Sequence, residues 1–285
     1  MMNRTSFLSL VFCLLGTPLL AQKGQALFPQ TPGLQTYTYR VSMKKDVAAT
    51  LDTIRALGIT DLECGVFPGK TLEESRKLLD ERGLRCSSFG AGYQDLIDKT
   101  AEVGRKAKAM GADYVMLAWI RKGPEFTLAQ AEEAVKNFNR FGKQLKDEFG
   151  LTFCYHNHGY EFVKHGDGTL MDYLIQNTDP RYVSFEMDLL WTVFPGADPA
   201  ALLTKYGNRW KLMHLKDLRK GVEGNLSGGT PTENDVALGT GQVDMPAVLK
   251  AARKAGIRHY YIEDESPIYY QQVPQSMAYL KSLKN

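Results

Sequence analysis

From residue 34 onward, short β-rich apolar runs alternate with longer stretches whose apolar residues recur every three or four positions. The runs are Leu34–Arg40, Asp61–Cys64, Leu84–Phe89, Tyr114–Trp119, Thr152–His156, Val183–Asp188, Lys211–Lys216 and Tyr260–Glu263. Between them, sets such as Val47, Leu51, Ile54 and Ala134, Phe138, Phe141, Leu145 keep the spacing of one helix face. Thr71 and Glu74 have the form of a capping box, in which each side chain satisfies a free N–H at a helix start. Gly58, Gly83, Gly111, Gly150 and Gly256 each close a helical run before a strand, where a left-handed residue ends a helix. Eight strands joined through helices imply parallel pairing with right-handed crossovers. An open doubly wound sheet would show a glycine-rich loop after its first strand; here Val41-Ser42-Met43-Lys44 follows. The pattern predicts a closed α/β architecture, a single-domain (β/α)8 TIM barrel over residues 22–285.

The first residues depart from this cadence. Arg4 precedes an apolar stretch from Phe7 to Leu20 that ends in Leu19-Leu20-Ala21-Gln22. A basic start, an apolar core of roughly 7–15 residues and a small residue before the cut describe a secretory signal peptide over residues 1–21. The expected location is periplasmic or extracellular, with no membrane attachment after cleavage. Cys64, Cys86 and Cys154 lie in apolar stretches and form no CxxC pair, so they read as buried thiols. A formal charge of +3 from 35 basic and 32 acidic residues, without a long basic run, gives nucleic acid no electrostatic footprint. The oligomeric state stays open.

Barrel strands are buried on both faces and should read as Val, Ile and Leu. The last four do not. They end in Tyr155-His156-Asn157-His158, Glu186-Met187-Asp188, Met213-His214-Leu215-Lys216-Asp217 and Ile262-Glu263-Asp264-Glu265. The C-terminal ends of the strands form the barrel mouth, where catalytic groups gather in this architecture. One ligand from each strand, His156, Asp188, His214 and Glu263, would converge on a divalent ion. Two imidazoles and two carboxylates suit Mn, Zn, Co or Fe rather than Ca. Burying four such groups together without a counter-ion would be costly. The long glycine-bearing stretch from Arg219 to Val243 follows the seventh strand and reads as a lid or substrate loop.

These motifs resemble the xylose-isomerase-like barrels, a superfamily of sugar isomerases and epimerases that also holds inosose dehydratases and apurinic endonucleases. The likeness rests on Tyr155-His156-Asn157-His158, Asp188 with Trp191, His214-Leu215-Lys216-Asp217, Gly239-Thr240-Gly241-Gln242-Val243-Asp244 and Glu263. It implies one metal held by Glu, Asp, His and Glu from strands five to eight, and proton exchange by the two Glu residues. Asp188, His214 and Glu263 match. The strand-five Glu is replaced by His156, with His158 or a shifted Asn157 as substitutes. The base on that side then becomes His158, Glu161 or Glu186. Glu263 would exchange the proton opposite. Lys216 would bind a substrate oxygen or pair with Asp217 or Glu186. Trp191 and Tyr39 would wall the sugar, and Glu186 would border the substrate or orient a ligand imidazole. No phosphate-cradling loop or Arg cluster is evident, which points to a non-phosphorylated sugar. The expected activity is isomerisation or epimerisation through an enediolate. The alternatives are a lyase or hydratase on 3-keto-glycosides or related keto-sugars, favoured by the missing Glu, and a sugar-binding barrel without catalysis.

Overall fold

The computed structural model describes residues 25–120 and 122–285. The signal-peptide expectation, residues 1–21, lies outside the described residues. Eight strands close into a barrel: β1 Gly33–Gln35, β2 Asp61–Cys64, β3 Arg85–Gly90, β4 Tyr114–Leu117, β5 Thr152–His156, β6 Val183–Asp188, β7 Trp210–Leu215 and β8 His259–Ile262. Each pairs in parallel with its sequence neighbours, and β1 pairs with β8. The eight-stranded TIM barrel is therefore as the alternation of patterns predicts.

Local chemistry sets the elements. Thr71 caps the helix Leu72–Asp80 in a full capping box with Glu74. The helix Leu128–Phe149 buries Ala134, Phe138, Phe141 and Leu145 against the sheet. It ends at Gly150, whose φ of 68° is the left-handed conformation that favours glycine. Residues from Leu27 and Phe28 pack under the N-terminal ends of the strands, and Ala26 bridges to Lys284 at the other end of the chain. Cys64, Cys86 and Cys154 are buried and unpaired. No helix among the described residues is long and apolar enough to cross a membrane.

The first strand is shorter than its pattern suggests. The β-prone Thr36-Tyr37-Thr38-Tyr39 forms a 3-10 turn, and a helix follows over Arg40–Lys45. The Gln35 side chain accepts from the Tyr37 N–H, and the Thr36 hydroxyl donates to the Glu63 carbonyl. This local bond and the bond to β2 override strand propensity, which is a weak and context-dependent preference. The turn redirects Tyr39 into the core, edge-on to Tyr269 with ring centroids 4.9 Å apart.

The stretch after β7 is more ordered than a loose lid. Asp217–Leu218 pairs with Asp235–Val236 in a small antiparallel ladder. The Asp217 carboxylate accepts from the N–H groups of Gly239, Gly241 and Val243. A Cβ on Gly241 would lie 2.2 Å from the Asp217 carboxylate, so that glycine is required for the approach. Among the described residues, none from Arg219 to Val243 lines the cavity at the mouth.

Candidate metal centre

β5 to β8 deliver one donor each to a common point. His156 Nε2 lies 3.3 Å from Asp188 Oδ2 and 3.0 Å from His214 Nδ1. His214 Nδ1 lies 3.5 Å from Asp188 Oδ2 and 3.3 Å from Glu263 Oε2. All four side chains are buried, and their donor atoms lie within 4.8 Å of one another. Ligands about 2.1 Å from a tetrahedral ion sit roughly 3.4 Å apart, so these spacings fit a first-row divalent metal.

Two of the four ligands, Asp188 and His214, are pre-oriented. Asp188 Oδ1 accepts the Trp191 N–H as N-cap of the helix Leu189–Val193, which leaves Oδ2 for the centre. His214 Nε2 donates to Glu63 Oε1 at 2.7 Å, so the His214 Nδ1 lone pair faces the ion site. A carboxylate behind a ligand imidazole fixes its tautomer and raises its basicity. Glu63 is itself held by Gln35 Nε2 at 2.6 Å and by the Ser88 hydroxyl at 2.5 Å. This carboxylate was not among the residues the sequence singles out. Its signal is a lone Glu between Leu62 and Cys64 in a strand otherwise buried. Glu63→Gln should weaken metal affinity by roughly 10–100-fold. Competition against a chelator measures this; unchanged affinity would remove Glu63 from the account.

Charge reinforces the geometry. Burial would raise the Asp188 pKa, but the nearby Lys216 ammonium and the imidazole bonds hold it well below the usual carboxylate range. Burial likewise opposes ionisation of Glu263, and Lys216 and His214 overcome it. Burial would lower His214, yet Glu186, Glu263 and Glu63 push it well up. The centre thus gathers ionised carboxylates whose charge Lys216 and the imidazoles offset, a donor set that an ion could share.

The remaining expected residues take different places. His158 faces the cavity, and its Nδ1 has no hydrogen-bond partner. Burial, with a smaller effect of His156, lowers its pKa to about 3, so it is neutral at ordinary pH. Trp191 does not line the cavity; it stacks behind His158 with centroids 4.6 Å apart and fixes that imidazole. Tyr39 is buried away from it, and Tyr37 takes the wall position instead. Lys216 pairs with neither Asp217 nor Glu186: its ammonium reaches Glu265 at 2.6 Å, Glu263 at 3.1 Å and Asp235 at 3.5 Å. Glu186 lies one pleat beneath Asp188, fully buried, with neither carboxylate oxygen hydrogen-bonded. Burial, then the neighbouring Glu63, raises its pKa well above the usual range. Glu63, at 2.7 Å, is the hydrogen-bond partner of His214 Nε2, while Glu186 Oε1 stands 3.4 Å from the same nitrogen. Glu161 accepts from the His158 N–H and the Tyr155 hydroxyl, and Asn157 exchanges bonds with the Asp188 backbone and Thr192. Both tie the mouth together and neither reaches the centre. The cavity above the centre has a volume of about 400 Å³. Besides the imidazoles and Glu263 it is lined by Gln35, Tyr37, Gly90, Ala91, Met116, Ala118 and Glu265.

Fold and site together define a TIM barrel with a mixed imidazole–carboxylate centre at its mouth. Residues 51–283 match the xylose isomerase-like TIM barrel family, and the chain belongs to that family. Among curated proteins it is similar to the inosose dehydratase of Geobacillus thermodenitrificans, 30% identical over 50% of this chain and 49% of that protein. It is 36% identical to the inosose dehydratase of Clostridium tetani over 35% of this chain and 32% of that protein. The match thus spans about a third to a half of these relatives' length. A solved structure of a sugar phosphate isomerase/epimerase from Parabacteroides distasonis is 27% identical, with a TM-score of 0.70 over 88% of this chain and 93% of that one. The probable 3-DHS dehydratase AsbF of Bacillus anthracis, 13% identical with a TM-score of 0.69 over 88% and 98% of the two chains, shares the fold.

Proposed function

We propose that this protein is a divalent-metal-dependent lyase that removes a proton next to the ketone of a keto-sugar and expels the group at the next carbon. The observation that carries this reading is that, among the described residues, His158 is the one imidazole lining the cavity outside the candidate ligand set, while the carboxylates there, Glu263 and Glu265, are engaged by Lys216. Epimerisation of a sugar needs two proton-exchanging groups on opposite faces of one carbon. Elimination needs a net transfer of one proton from carbon to the leaving oxygen, which one imidazole can perform. Among the described residues the alternative bases on the β5 side, Glu161 and Glu186, do not line the cavity.

A Mn, Zn, Co or Fe ion held by His156, Asp188, His214 and Glu263 would supply Lewis-acid stabilisation of the enolate charge, worth several kcal/mol. The protein's own groups do the rest. His158 takes the proton from the carbon beside the ketone; the electron pair forms the new C=C bond as the β C–O bond breaks. The leaving oxygen then receives the proton from His158, giving an enone and an alcohol or water. Trp191 keeps the imidazole in place, and Lys216 keeps Glu263 ionised.

The relatives named inosose dehydratase support elimination over the isomerase or epimerase chemistry expected first. The likeness to the isomerase/epimerase of Parabacteroides distasonis favours the second reading. Export through the N-terminal segment would place the protein among free sugars and glycosides. Incubating metal-loaded protein with a methyl 3-keto-glucoside and with free ketohexoses separates the two. Release of methanol with appearance of an enone chromophore is expected; epimers of the ketohexoses without alcohol release would overturn the elimination.

A further inference from the structure

A second cleft, of about 560 Å³, opens beside the metal cavity along β4 and the start of the helix Tyr93–Met110. It is lined by Ala91, Gly92, Tyr93, Leu117, Ala118 and Trp119, with Gln94 at its edge. Ala91 and Ala118 line both spaces. Two methyl side chains thus form part of the shared boundary. Trp119 is 43% exposed, high for the largest apolar side chain in the mouth of a barrel. It is nonetheless held firmly: its ring meets Tyr160 edge-on at 4.9 Å and His158 at 5.0 Å. The Tyr160 hydroxyl in turn accepts the Ile120 N–H at 3.0 Å, which fixes the segment carrying the indole.

We propose that this cleft is the subsite for a flat, apolar aglycone, so that the substrate is an aryl or arylalkyl keto-glycoside rather than a bare keto-sugar. The inference rests on the elimination reading above and names the group that leaves. The leaving oxygen sits between the two cavities, next to His158, and its carbon substituent lies on the indole face. Among the described residues no Lys or Arg lines either cavity, and the Lys122 ammonium lies over the Trp119 and Tyr160 rings, 5.7 and 5.1 Å from their centroids, so the cleft itself presents mainly apolar surface to the substituent. An apolar ring gains contact area and ring stacking, together worth about tenfold in affinity.

The test compares kcat/KM for the 2-phenylethyl and methyl 3-keto-β-glucosides, whose leaving alcohols are of similar acidity, on metal-loaded protein. The wild type should prefer the phenylethyl compound by about tenfold. Trp119→Ala should bring the ratio close to one, and Trp119→Phe, which keeps a ring, should restore part of it. Equal kcat/KM in the wild type, or a ratio that survives Trp119→Ala, overturns the subsite while leaving elimination intact. If neither compound is consumed, elimination fails. The subsite is then judged by calorimetric Kd values for the two unoxidised glucosides: a tenfold preference lost in Trp119→Ala sustains it, and equal affinities overturn it.

Discussion

Asp188→Asn is expected to abolish tight metal binding and to lower turnover by about a thousandfold or more, with little effect on folding. The two carboxylate oxygens of Asp188 have separate tasks: Oδ1 caps the helix Leu189–Val193 through the Trp191 N–H, and Oδ2 faces the centre. Asparagine is a good N-cap, so its carbonyl oxygen keeps the cap. Its amide NH₂ is then directed at the ion, where it has no lone pair to offer. Loss of a Lewis acid worth several kcal/mol corresponds to a thousandfold or more in rate. Metal content, turnover and Tm of the stripped protein separate the effects. A large fall in Tm with metal retained would mean that Asp188 is structural only.

Lys216→Met is expected to produce the largest loss of stability of any single replacement near the mouth. Lys216 is 1% exposed, and its ammonium is shared by Glu263, Glu265 and Asp235. Burial would lower its pKa, but these three carboxylates raise it well above the ordinary value. Removing one partner of a buried charge network leaves the others uncompensated, at a cost of about 3–5 kcal/mol. Chemical denaturation of chelator-stripped protein measures it. Metal-loaded protein should lose less, because the ion then balances Glu263. A loss below about 1 kcal/mol in the stripped protein would show that solvent already screens these charges.

The later half of the barrel is legible in sequence because its strands break a strong rule. A residue buried on both faces of a parallel sheet should be apolar, so His156, Asp188, His214 and Glu263 stand out at matching positions, and alternation puts them on the inner face. The same rule applied to β2 would have found Glu63, but a lone carboxylate two residues after Asp61 resembles an ordinary strand edge. The burial of Tyr39 and the position of Tyr37 at the cavity are not legible for a different reason. Thr36-Tyr37-Thr38-Tyr39 has high strand propensity, and only contacts with Glu63 and Gln35 show that the chain turns at Thr36. The partners of Lys216, Glu265 and Asp235, are long-range and have no signature in local spacing. Trp119 sits at the end of a predicted strand and gives no sign there of its exposure. That appears only when β4 ends at Leu117 and the next residues swing out over the mouth.

The central claim is that four side chains from β5 to β8 hold one divalent ion. Elemental analysis of purified protein, stripped with chelator and dialysed separately against Zn²⁺, Mn²⁺, Co²⁺ and Fe²⁺, tests it most directly. The account predicts about one tightly held ion per chain for at least one of these metals, and near none in Asp188→Asn. No stoichiometric ion with any of the four, or equal metal content in wild type and Asp188→Asn, would contradict it.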